Sequence, residues 1–126
     1  MAIYIIYAQT ELLDLCDFST PLPEADVVVA ADVMYEPVTG RAMAQRTADA
    51  LQRGSRVLVG DSPGRPGRPY FLEELKRLLP GVDAQFIDTL GTACSGPRND
   101  LICGKGSTSV SDKSKIVPIA LLDLKL

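Results

Sequence analysis

Between Asp26 and Leu79 the chain alternates strand and helix patterns twice, and each strand runs into an aspartate at its carboxyl end. The strands are Val27 to Ala31 before Asp32, and Arg56 to Gly60 before Asp61, and the two aspartates stand 29 positions apart. That is the length of one βαβ crossover, so the two strands are expected to lie parallel in one sheet. The first run is apolar without alternation, the pattern of a strand covered on both faces, and it predicts a central position. In an open parallel sheet the ligand crevice borders the carboxyl ends of the strands, which singles out Asp32 and Asp61. A nucleotide-type site also begins with a Gly-rich turn after an early strand, and nothing before residue 40 contains one. The sequence thus carries half of such a site.

The intervening segments fit helices. Thr39 is the expected N-cap of a helix through Arg53, with Ala44, Ala48 and Leu51 on one stripe and Gly54 as its stop. A second helix fits Tyr70 to Leu79, with Phe71, Leu75, Leu78 and Leu79 on one face and Pro80-Gly81 ending it. An initial strand is expected at Ile3 to Tyr7 or at Glu11 to Leu15, followed by a loop punctuated by Pro21 and Pro23. After Gly81 an antiparallel pair is expected at the sheet edge, formed by Val82 to Leu90 and Asp100 to Gly104. Residues 107–126 read as a flexible or variant tail, Ser- and Lys-rich and then apolar, with the placement of Ile116 to Leu126 left open.

With 126 residues, 46% of them hydrophobic, the chain can build one core and one domain. A net charge of −3, from 13 basic and 16 acidic residues interspersed, offers no positive face for a nucleic-acid backbone. Histidine is absent, which excludes Ser-His triads and leaves acid–base work to carboxylates, Tyr, Lys, Cys or the substrate. Three cysteines, Cys16, Cys94 and Cys103, lack CxxC spacing and suggest reduced intracellular thiols and no metal. The apolar run at Ile3 to Ala8 is too short to cross a bilayer, so no membrane is expected as partner.

Asp32-Val33-Met34-Tyr35-Glu36, followed by Gly60-Asp61-Ser62-Pro63-Gly64-Arg65-Pro66, resembles the seven-β-strand, class I S-adenosylmethionine-dependent methyltransferases. The closest match is the protein lysine methyltransferase group that modifies the β-subunit of electron transfer flavoprotein, whose relatives are often labelled nicotinamide N-methyltransferase-like. Such enzymes carry Asp-x-x-Tyr after their fourth strand and, in this subgroup, a Gly-Asp-(Ser)-Pro-Gly-Arg-Pro sequence after the fifth. The resemblance covers about residues 11 to 104 and implies a partial Rossmann-like α/β fold over residues 1–106, the C-terminal half of such a domain. Family strands are ordered 3-2-1-4-5-7-6, so the chain is expected to start near the third strand and to lack the strand beside Val27 to Ala31, exposing that edge.

The resemblance also implies roles. Asp32 and Tyr35 become the catalytic pair beside the methyl-accepting amine, with Asp32 also near the methionine part of S-adenosyl-L-methionine, and Asp17 and Phe18 become its adenine contacts. Asp61 and Arg65, with Arg68, would border the acceptor entrance, where Tyr35 shapes the channel. The expected reaction is in-line methyl transfer to an amine nitrogen, of a protein lysine or a small amine, and positioning does most of the catalysis. The chain alone is expected to be weak or inactive. Two other classes stay open: a non-catalytic interaction module self-associating through the exposed strand edge, and an anion-binding domain using Arg65 and Arg68. Cytoplasm and organelle are not distinguished.

Overall fold

The valine-rich run at Val27–Ala31 forms β1, as β-branched residues favour. The computed structural model describes residues 6–93 and 115–126. After β1 come α1 (Pro37–Gln52), β2 (Arg56–Asp61), α2 (Arg68–Leu78), β3 (Ile87–Ala93) and β4 (Lys115–Leu124). These build a mixed α/β fold with a four-stranded sheet in the order β1-β2-β4-β3. β1 and β2 are parallel, Val27 opposite Arg56 and Ala31 opposite Gly60. β4 runs antiparallel to both β2 and β3.

Helix α1 begins one turn earlier than Thr39 suggests. Pro37 supplies the fixed φ that suits a first turn. Thr39 lies inside that turn, its Oγ1 accepting the Glu36 N–H and donating to the Glu36 carbonyl. At the other end the Gly54 N–H bonds to the Leu51 carbonyl, and the strand resumes two residues later. Ala44, Ala48 and Leu51 are buried as the stripe requires. Helix α2 places Phe71 and Leu75 in the same core, with Leu78 and Leu79 half-buried against it.

Both helices lie on one face of the sheet, over Val57 and Val59 of β2 and Leu122 and Leu124 of β4. The opposite face carries Val27 and Val29 of β1, Leu121 and Ile119 of β4 and Ile87 of β3, and these are exposed; Val29 is 70% and Ile87 68% accessible. The central, doubly covered position expected for Val27 to Ala31 is therefore corrected: among the described residues β1 is an edge strand covered on one face. Its apolar run without alternation is what a two-sided strand needs, but no described element covers its second side.

Two further expectations change. Residues 6–26 contain no strand, Ile6, Tyr7 and Leu12 being exposed, so an initial strand at Glu11 to Leu15 is not formed. Most of the Ile3 to Tyr7 alternative lies outside the described residues. The antiparallel pair exists, but β3 takes as its partner Lys115–Leu124, part of the segment expected to be a tail, and Asp100 to Gly104 lies outside the described residues. Ala120, Leu122 and Leu124 are the buried alternate positions of β4, a period-2 pattern that Ile116 to Leu126 hides because its other face is apolar too. Pro118 is tolerated because β4 there outruns β2, whose pairing stops at Asp61 opposite Ala120.

The amino-terminal ends of α1 and α2 touch through two glycines. A Cβ on Gly40 would run into the Gly67 carbonyl, and one on Gly67 would run into the carbonyls of Glu36 and Met34. Gly67→Ala is expected to destabilise the protein by about 1–3 kcal/mol, through displaced backbone, whereas Val29→Thr on the open face should change stability by no more than about 0.5 kcal/mol. Urea unfolding of the two variants checks the contrast.

Candidate functional site at the carboxyl ends of β1 and β2

The end of β1 is turned sharply by Asp32, which adopts φ 52°, in the left-handed region. Aspartate tolerates that conformation better than most residues because its short side chain finds local hydrogen bonds. Here they come from across the sheet. The Asp32 N–H donates to the Gly60 carbonyl at 3.0 Å. Asp32 Oδ1 accepts the Ser62 N–H at 3.1 Å and the Ser62 hydroxyl at 2.9 Å. The Ser62 hydroxyl and then its N–H hold the Asp32 carboxyl below the usual aspartate range, with Arg65 adding a smaller pull.

Three residues after Asp32, Tyr35 presents an exposed ring. The Arg65 guanidinium lies over that ring, 4.6 Å from its centroid, and its Nη2 is 3.4 Å from Asp32 Oδ1. Arg65 Nε is buried without a hydrogen-bond partner among the described residues. Asp32, Tyr35 and Arg65 thus form one cluster, assembled from the turn after β1 and the loop after β2. Spacing in the sequence singled out the aspartates, and the structure brings Tyr35 and Arg65 to the first of them.

Asp61 has a different place. It is 2% accessible, on the helix-covered face. Arg68 Nε donates to Asp61 Oδ2 at 3.1 Å and Arg68 Nη2 to the Ser62 carbonyl at 3.0 Å. The same guanidinium lies 4.6 Å from the centroid of Phe86, which packs edge-on against Phe71 at 6.0 Å. Burial pushes the Asp61 carboxyl up, and Arg68 opposes it. The Asp61–Arg68 pair therefore ties the loop after β2 to the core, beneath the exposed cluster. Arg68 is paired with Asp61, whereas Arg65 reaches Asp32 only at 3.4 Å.

Asp17 and Phe18 lie in a loop whose anchor no local pattern announces. The buried Arg46 of α1 donates to four carbonyls there, those of Asp14, Leu15, Asp17 and Thr20. Its guanidinium is 5.1 Å from the Phe18 ring centroid. An arginine buried among helix alanines needs acceptors, and this loop supplies them. Asp17 Oδ1 accepts both the Ser19 N–H and hydroxyl, which lower the Asp17 carboxyl below its ordinary range. Among the described residues no hydrogen bond, ion pair or ring contact joins Asp17 or Phe18 to the Asp32 cluster.

At the other end of the strands a cavity of about 440 Å³ is lined by Glu24, Ala25, Asp26, Arg53 and Ser55. It lies at the amino-terminal ends of β1 and β2, away from Asp32. Among the described residues no group of His, Cys, Asp and Glu could hold a metal ion, and no helix is long and apolar enough to cross a membrane. Compared with protein families, curated proteins and solved structures, the chain matches none.

Asp32 has a lowered folded-state pKa, so its contribution to stability is present above the unfolded value of about 4 and is lost as pH falls through the folded one. The stability difference between the wild type and Asp32→Asn should narrow as pH drops below about 4, as followed by urea unfolding. Ser62→Ala should move the Asp32 carboxyl titration upward in carbon-detected NMR, because the hydroxyl is its largest stabilising partner.

Proposed function

We propose that the chain carries the acceptor half of a class I, Rossmann-like methyltransferase fold, and that its site serves methyl transfer from S-adenosyl-L-methionine to an amine nitrogen, a protein lysine being the favoured acceptor. One observation carries the reading. The sheet order β1-β2-β4-β3 corresponds to the last four places of the family order, 4-5-7-6, and the Asp-x-x-Tyr and Gly-Asp-Ser-Pro-Gly-Arg-Pro sequences occupy the carboxyl ends of its first two strands. The fourth of these strands was not anticipated from the sequence, so the order supports the reading independently of the motifs.

S-adenosyl-L-methionine, when bound, supplies an electrophilic methyl group on a sulfonium. Asp32 and Tyr35 offer a carboxylate and an aromatic face, a pair suited to holding an amine whether neutral or charged. Held at low pKa by Ser62, Asp32 stays ionised at neutral pH and acts as an acceptor that orients the nitrogen. A carboxylate of that kind is a weak base, so the amine proton passes to solvent. Asp17 keeps Oδ2 without a hydrogen bond among the described residues, and Phe18 is half exposed, which fits adenine contacts. No Gly-rich turn for the methionine end occurs before residue 40. Asp61, buried with Arg68, supports the loop in this reading and does not touch the acceptor.

The open sheet face favours a second reading, a non-catalytic interaction module that self-associates through the β1 edge and the apolar side chains beside it. Calorimetric titration with S-adenosylhomocysteine, with mass by light scattering, separates the two. Methyl transfer predicts saturable binding that Asp32→Ala and Asp17→Ala each weaken by about tenfold or more, as loss of a charge-assisted contact implies. A folded, oligomeric protein without binding would favour the module.

A further inference from the structure

We propose that Asp32 and Tyr35 form a pocket for an alkylammonium group and that Arg65 is its internal occupant, so that an incoming primary amine binds by displacing the Arg65 guanidinium. This rests on the amine-acceptor reading above and adds how the acceptor gains access. A carboxylate beside an aromatic face is the minimal arrangement that recognises an organic cation, and the chain already places one cation there.

The contact is a poor one for Arg65. Its Nη2 stands 3.4 Å from Asp32 Oδ1, longer than the roughly 2.7–2.9 Å of a good charge-assisted bond. Its Nε is buried without an acceptor among the described residues. A planar guanidinium normally earns its place by bidentate geometry, and here it has none with Asp32. A compact ammonium on a flexible stem satisfies the same carboxylate with less to bury.

The surrounding anchors stay put if Arg65 leaves. Asp32 is held by Ser62. The far end of the loop is held by the Gly67 N–H on the Met34 carbonyl and by Arg68 on Asp61. Immediately before Arg65, Gly64 has φ 79°, a conformation open to glycine, and a Cβ there would meet nothing within 4 Å. The Arg65 carbonyl itself accepts the Arg68 N–H at 3.2 Å, so displacement needs the Arg65 side chain to swing out and leaves its backbone in place.

The test is NMR titration of the full chain with n-butylammonium and with Nα-acetyl-lysine methylamide, in the wild type, Arg65→Gln, Arg65→Lys and Asp32→Asn, each checked for folding by its amide spectrum. Displacement predicts that Arg65→Gln binds on the order of tenfold tighter than wild type, since a pocket vacant a tenth of the time loses that factor. Arg65→Lys, whose ammonium suits the same carboxylate better, should bind the added amine more weakly than wild type, and Asp32→Asn should lose binding. In the wild type, the Arg65 Nε–H resonance should shift together with the Tyr35 ring as ligand is added. Equal affinity in wild type and Arg65→Gln with Asp32 still required, or an Arg65 resonance that does not move, would overturn displacement and leave the amine site standing. Absence of binding in every folded variant would overturn the amine site itself.

Discussion

The close approach of two backbones at Gly40 and Gly67 is the constraint on which the site depends. Neither position has room for a Cβ, because each would strike a carbonyl of the opposing segment. Removing both side chains lets the start of α1 and the start of α2 meet. It also lets the Gly67 N–H reach the Met34 carbonyl at 3.1 Å. That hydrogen bond joins the loop after β1 to the loop after β2. Asp32, Tyr35 and Arg65 come from those two loops, so their meeting follows from a backbone contact several residues away.

Polar side chains then set the loops in place at two depths. At the surface, Asp32 is fixed by Ser62, its left-handed turn offset by bonds from the neighbouring strand's end. In the interior, Asp61 and Arg68 pair between the sheet and Phe86. The pair, its carboxylate buried and its guanidinium part-buried, supports the loop from below, and the half-buried Asp32 stays in reach of solvent. Two aspartates at equivalent strand ends thus take different parts because β2 turns its last side chain toward the helices while β1 ends in a turn. Arg46 does for the Asp14 to Thr20 loop what Arg68 does for the loop after β2: a guanidinium gathers the carbonyls of irregular backbone into one set of hydrogen bonds.

The core is one-sided. α1 and α2 cover one face of the sheet, and the other presents valine, leucine and isoleucine to solvent. A layer with apolar residues on both sides is built for burial on both sides. The same feature explains why sequence and structure part company over β1. The run Val27 to Ala31 is written for a central strand, and the described fold leaves it at the edge.

Local and short-range physics made legible the β-branched runs at Val27 and Arg56, the alanine stripe from Ala44 to Leu51, the face of Phe71 and Leu75, and the turns at Gly54 and Pro80-Gly81. The spacing of Asp32 and Asp61 followed from the length of a crossover, which also gave the parallel pairing. Tertiary structure alone decided the place of Lys115–Leu124, since its two apolar faces look alike in sequence and only insertion between β2 and β3 distinguishes them. It alone buried Asp61 and left Asp32 open, because which way a strand-end side chain points depends on register and on what covers each face. Arg65 at Tyr35 and Arg46 on the Asp17 loop are likewise contacts between residues about 30 positions apart, fixed by helix packing, which no local pattern encodes.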